Sequence, residues 1–198
     1  MHQNGAVKTA LLVMDVQVGI VERYGGDGSL TTRLQHAIEA ARRSGVLVIY
    51  VVVGFRDDYA EVSPNNAGFS AIARTGAYTS GDPKRHIHPD VAPRPGDVIV
   101  TKKRVGAFAG SDLAMVLRAQ HIEALVLTGI STSGVVLSTA RHAADLDFRL
   151  TILSDGCTDG DREVHELLLN KVLARQATVV GVEEWIAGLA DEGDTCAT

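Results

Sequence analysis

Apolar residues recur along the chain in two alternating rhythms, short unbroken runs and longer stretches of helical spacing. The runs at 9–15 (TALLVMD) and 46–53 (VLVIYVVV) are rich in β-branched side chains, as expected of strands buried on both faces. Between them, Leu30, Leu34, Ala37, Ile38 and Ala41 follow helical spacing, with Ser29 or Thr31 placed to cap the start and Gly45 the end. A third strand at about 97–101 leads to a helix near 111–120, capped by Ser111, and a fourth strand covers 123–128. Residues 134–146 put Val135, Val136, Thr139, Ala140, Ala143 and Ala144 on one helical stripe. Arg149–Ser154 is the fifth strand, 162–174 the next helix, ATVVGV the sixth strand, and Glu183–Leu189 the last helix.

Strands that alternate with helices in this way predict a parallel sheet wrapped by helices, and no internal repeat interrupts the alternation. One stretch breaks the rhythm. From Gly54 to Gly96 the chain holds all five prolines and no long periodic segment. Such a length of irregular chain predicts a lid or subunit-contact segment, with a helical turn around Gly68–Ala73; a plain surface insertion is the alternative.

Three of the strands end in chemistry, where an open α/β sheet keeps its ligands. The first ends at Asp15, the third at Lys102, and the fourth empties into the turn Gly129-Ile130-Ser131-Thr132-Ser133-Gly134. Strand alternation sends Lys102 and Lys103 in opposite directions, so only one of them enters a shared crevice. A lysine buried there needs a partner, and Asp15 is the natural one. Burial would raise the Asp15 pKa and a nearby ammonium would lower it, so the carboxyl suits either acid or base duty. The turn opens a helix, and its N–H groups are placed to hold an anion or a developing oxyanion. No paired histidine at a recognisable spacing makes a nucleophile of Ser131, Thr132 or Ser133, and N-capping explains them equally.

Composition narrows the classes. The 198 residues suit one domain spanning 1–198, and 45% hydrophobic with 22% charged residues describes an ordinary globular chain. A formal net charge of -5 argues against nucleic acid as the main partner. Arg42-Arg43 reads as the solvated last turn of a helix. Two cysteines, Cys157 and Cys196, are too few for a disulfide framework and fit a reducing compartment. No apolar run approaches the ~18 residues of a membrane span, and the N-terminus lacks a signal layout, so a cytoplasmic protein without membrane contact is expected. Neither G-x-G-x-x-G nor a P-loop follows a strand, which leaves dinucleotide redox and phosphoryl transfer without machinery. His86, His88 and Asp90 have ligand chemistry but no metal is expected; Asp57, Asp58 and Tyr59 read as loop solvation, with a substrate contact through Arg56 or Tyr59 as the alternative. Cys157 reads as a small buried thiol.

The stretches LLVMDVQ, VTKKRVGAFAGSDL and LTGISTSGVVLSTARHAADLDFRLTILSDGCTD, in that order, resemble the isochorismatase-like hydrolase superfamily, also called cysteine hydrolases. The resemblance covers nearly the whole chain. It implies a three-layer α/β/α, Rossmann-like sandwich around a mostly parallel six-stranded sheet. It further implies a small-molecule substrate, no cofactor, a homodimer or homotetramer, and a cis peptide at Ile130-Ser131. The family's trio is Asp, Lys and a Cys that attacks a carbonyl or nitrile carbon. The first two fall on Asp15 and Lys102 as catalytic residues, and the third falls on Val135, which has no nucleophilic atom. Isochorismatases proper also lack the Cys, carry Gly there, and cleave a vinyl ether by protonation and water. Substrate or oxyanion contacts carry over to Gln17, Phe108, Ile130, Ser131, Ser133, Gly134 and Val135. The Asp-x-His metal motif of nicotinamidases would fall where this chain has GFRDDY. The reading is thus a hydrolase of a vinyl-ether or amide-type bond working without a covalent cysteine, the alternative being an inactive relative that binds a small ligand.

Overall fold

Side chains alternate across each strand, so one sheet serves two cores. Ala10, Leu12 and Met14 point to one face, which packs against Leu113, Leu117, Val136 and Ala140. Leu11 and Val13 point to the other, which packs against Leu34, Ala37, Ile38 and Val182. The computed structural model describes residues 7–25 and 28–194. Its strands are β1 (Thr9–Met14), β2 (Leu47–Val53), β3 (Val98–Lys102), β4 (Ala124–Ile130), β5 (Arg149–Thr158) and β6 (Thr178–Val180). They form one sheet in the order β3-β2-β1-β4-β5-β6, and every neighbouring pair is parallel. The expected "mostly parallel" sheet is therefore wholly parallel, in a three-layer α/β/α arrangement.

The helices are α1 (Val18–Tyr24), α2 (Ser29–Arg43), α3 (Ala67–Thr75), α4 (Leu113–Ala119), α5 (Leu137–Asp145), α6 (Arg162–Leu167) and α7 (Val182–Asp194). Three local expectations change. The residue before α2 is Gly28 in the left-handed region, and neither Ser29 nor Thr31 acts as its side-chain cap; the Thr31 hydroxyl instead donates to Asp90 at 2.9 Å. The stripe at 134–146 begins as a π-helical turn at Thr132–Val136, because the Ser131 carbonyl accepts from both Gly134 N–H and Val136 N–H before α5 takes over. Arg42 is not solvated: it bonds Asp97 and lies 2.9 Å from Glu39, packed over the α2 end.

The 54–96 segment carries more structure than its sequence suggests. It holds α3, whose Asn66 side chain accepts the Phe69 N–H at 3.1 Å, and 3₁₀ turns at Pro83–Arg85 and Pro89–Val91. Its far end is zipped to the chain after β1, since Val18 N–H donates to His86 O and His88 N–H to Val16 O. One close approach fixes β4 against β1. A Cβ at Gly129 would lie 2.0 Å from Met14 O, and its φ of +132° excludes other residues, so only glycine closes this end of the sheet.

Candidate active site

Asp15 follows the last residue of β1 with φ of 57°, a conformation that L side chains rarely adopt. Its N–H stays on the sheet ladder, donating to Val51 O at 2.7 Å, so the turn falls at the side chain's own residue. Lys102 ends β3 on the same face as Val100 and is 2% exposed. Its Nζ lies 2.9 Å from Asp15 Oδ2 and donates to Arg104 O at 3.0 Å. An ammonium carries three donors, and the third has no partner among the described residues.

Asp15 Oδ1 is buried and has no hydrogen-bond partner among the described residues. Burial pushes the Asp15 carboxyl above its ordinary value, and the charge and hydrogen bond of Lys102 offset this only in part. The unpartnered oxygen has the chemistry to donate or accept a proton. Lys103 turns the other way, as strand alternation requires, bonding Gly54 O and lying 3.6 Å from Glu61.

The pair lies at the floor of a cleft of about 230 Å³ whose wall includes Ile130, Ser131, Gly134 and Val135 from the fourth strand's turn. The Ile130–Ser131 peptide is cis, as the resemblance implied. Behind the turn, the Ser133 N–H donates to Asp159 Oδ2 at 2.7 Å and the Thr132 hydroxyl meets His165 Nδ1 at 2.7 Å. Burial opposes the ionisation of Asp159, but hydrogen bonds from Ser133, Asp161 and Gly160 outweigh it and hold its carboxyl below the usual range.

Three expected contacts stand elsewhere. Ser133 is exposed outside the cleft wall, and its N–H is engaged by Asp159 rather than open to an oxyanion. Gln17 is fully buried, its amide bonded to both Val53 N–H and C=O and to Arg85 O, so it staples the 54–96 segment to β2. Phe108 packs in the core, stacked at 4.7 Å on His142. Arg56 and Tyr59 do not line the cleft either: Arg56 faces Glu61, and the Tyr59 hydroxyl donates to Ala77 O at 2.7 Å. His88 and Asp90 face each other at 3.5 Å. Cys157 is buried against Leu127 O, and burial pushes its thiol up to about 12, which keeps it protonated. Cys196 lies outside the described residues.

Sequence reasoning missed the opposite wall, built by Arg23 and Tyr24 of α1 with Phe69, Ile72 and Tyr78 of the 54–96 segment. A signal was present. Four of the chain's nine aromatic residues fall in that segment, an excess that a plain insertion does not need.

The chain is 35% identical over 193 residues to the isochorismatase family protein YecD of Escherichia coli O157:H7, covering 96% of this chain and 100% of that one. It is 32% identical over 213 residues to the ureidoacrylate amidohydrolase RutB of Rhizobium rhizogenes, covering 96% and 83%. A cysteine hydrolase from Pseudomonas syringae pv. phaseolicola superposes with a TM-score of 0.86 at 22% identity over 93% of each chain, a likeness of fold. An isochorismatase family protein from Burkholderia thailandensis does so at 0.79 and 27% identity, over 92% of this chain and 96% of that one. Residues 9–184 match the isochorismatase domain model, and the chain belongs to the isochorismatase family.

Proposed function

We propose that the protein hydrolyses a small metabolite at a vinyl-ether or amide-type bond, with Asp15 and Lys102 acting on water and no covalent enzyme intermediate. The observation that carries this reading is the lone buried Oδ1 of Asp15, held in place through Oδ2 by Lys102. Beside it stands Val135, the position to which the resemblance assigns the family's cysteine, with a side chain that cannot attack carbon.

For an amide, ionised Asp15 takes a proton from water as the water oxygen bonds to the carbonyl carbon, while the open N–H of Lys102 meets the developing oxyanion. The C–N bond then breaks, and Asp15 returns the proton to the leaving nitrogen. For a vinyl ether, protonated Asp15 gives its proton to the terminal carbon, water adds to the resulting oxocarbenium while the Asp15 carboxylate takes back a proton from that water, and the neutral hemiketal separates into a ketone and an alcohol. The raised Asp15 pKa favours the second route, and the RutB relatives, named as ureidoacrylate amidohydrolases, give the first a test compound.

A binding role without turnover is the second reading, favoured by the branched Val135 side chain narrowing the cleft beside the pair. A panel of vinyl ethers and amides that includes 3-ureidoacrylate, followed by mass spectrometry, separates the two. Turnover that disappears in Asp15→Asn supports hydrolysis; tight binding across the panel with no product supports the alternative. The same reading carries a cytoplasmic setting and a homodimer or homotetramer, the latter checked by light scattering.

A further inference from the structure

The cleft that holds Asp15 and Lys102 is also lined by a second polar constellation. Arg23 lies on the last turn of α1, its guanidinium 5.1 Å over the Tyr24 ring, a contact that steadies the cation without neutralising it. The adjacent Glu22 is 3.9 Å from Lys84, and among the described residues Arg23 forms no ion pair. With Asp15 answered by Lys102, the charge of Arg23 is, among the described residues, the one on the cleft wall without an ion-pair partner.

Tyr78, from the 54–96 segment, lines the same cleft as this cation. Its φ of 62° is rare for a residue with a side chain, and two bonds hold it there: its N–H donates to Asp82 at 2.7 Å and its C=O accepts from Phe55 N–H at 2.9 Å. So fixed, the ring enters the cleft and its hydroxyl comes to rest on α1, where a Cβ at Gly19 would lie 3.3 Å from the phenolic oxygen. Gly19 and Arg23 are four residues apart and share one face of the helix. The hydroxyl makes no hydrogen bond among the described residues. Burial, with the charges of Asp82 and Asp15, pushes the phenol above its ordinary value against the pull of Arg23, so it serves as a donor.

We infer that Arg23 and the Tyr78 hydroxyl form an anion clamp that binds the single carboxylate of a small, otherwise apolar substrate and directs its scissile bond toward Asp15. The inference rests on the hydrolytic reading of the cleft and adds the substrate's charge and the residues that select it. The size of the cleft, about 230 Å³, lies below the usual range of ligand pockets, and its Tyr24, Phe69 and Ile72 walls suit a compact flat body.

The test is calorimetric titration of the full-length protein with benzoate and with nitrobenzene, an uncharged isostere, neither of which has a bond to hydrolyse. Benzoate should bind about tenfold more tightly than nitrobenzene, the scale of one charge-assisted contact. Arg23→Gln should abolish that preference while leaving nitrobenzene unaffected, Tyr78→Phe should reduce it several-fold, and Asp15→Asn should retain it. Circular dichroism matching the parent establishes that each variant is folded. Equal affinities in the parent, no benzoate binding, or a preference that survives Arg23→Gln would overturn the clamp. Because no turnover is read, failure of the hydrolytic reading appears separately, as a clamp that persists in a protein that cleaves nothing.

Discussion

Lys102 meets Asp15 at 2.9 Å although their strands are not neighbours, since β2 lies between β1 and β3. The lysine reaches over the end of β2, and both groups are withdrawn from water. A pair of this kind is costly to break, because either survivor becomes a buried uncompensated charge. Lys102→Met should lower stability by about 3–5 kcal/mol, and adding Asp15→Leu should recover most of that loss. Urea denaturation of the two variants reads the difference; equal losses would remove the coupling.

The raised Asp15 pKa has a definite sign in stability. The folded state holds the proton more tightly than the unfolded chain, so the contribution is present below the ordinary value of 3.8 and is lost as pH rises through the raised folded value. The stability of the parent minus that of Asp15→Asn should therefore fall across that window and level off above it. Chemical denaturation at a series of pH values checks it. A difference that grew with pH would mean a depressed pKa.

The two positions where a thiol could matter should behave oppositely. Cys157, with its thiol raised to about 12, should resist iodoacetamide in the native protein, and Cys157→Ala should keep full turnover at a stability loss of about 1 kcal/mol. In a background with Cys157→Ala and Cys196→Ser, Val135→Cys should alkylate faster than Cys157 does in the parent, since residue 135, although buried, lines the cleft and Cys157 does not. Peptide mapping after labelling reads both.

Gly129→Ala should disrupt the join of β1 and β4. Its Cβ would lie 2.0 Å from Met14 O in a backbone conformation closed to alanine, and a loss of about 4 kcal/mol or more is expected. A variant with an unchanged melting midpoint would contradict that packing.

The sheet was legible because its strands are buried on both faces, which writes them as unbroken apolar runs, and because α2 and α5 carry one-sided stripes. Asp15 and Lys102 were legible in part for the same reason: each is a charge at the end of such a run, alternation admits only one of Lys102 and Lys103 to a shared crevice, and the family resemblance selects Lys102. The opposite wall was not. Tyr78 reaches the cleft only through a left-handed backbone held by Asp82 and Phe55, contacts that no periodicity encodes. Gln17, Phe108 and Ser133 stand near the site in sequence, yet the fold employs them as a staple, a core ring and an exposed turn. Strand order, too, is a long-range property, and local pattern is silent on β2 lying between the strand ends that carry Asp15 and Lys102.

Intact-protein mass spectrometry of enzyme quenched in acid during steady turnover bears most directly on water-only catalysis by Asp15 and Lys102. The mass of the protein should stay that of the free chain, while Asp15→Asn loses about 10²–10⁴ in kcat/KM. A substrate-derived adduct on any side chain, or an Asp15→Asn variant that turns over at the parent rate, would contradict the account.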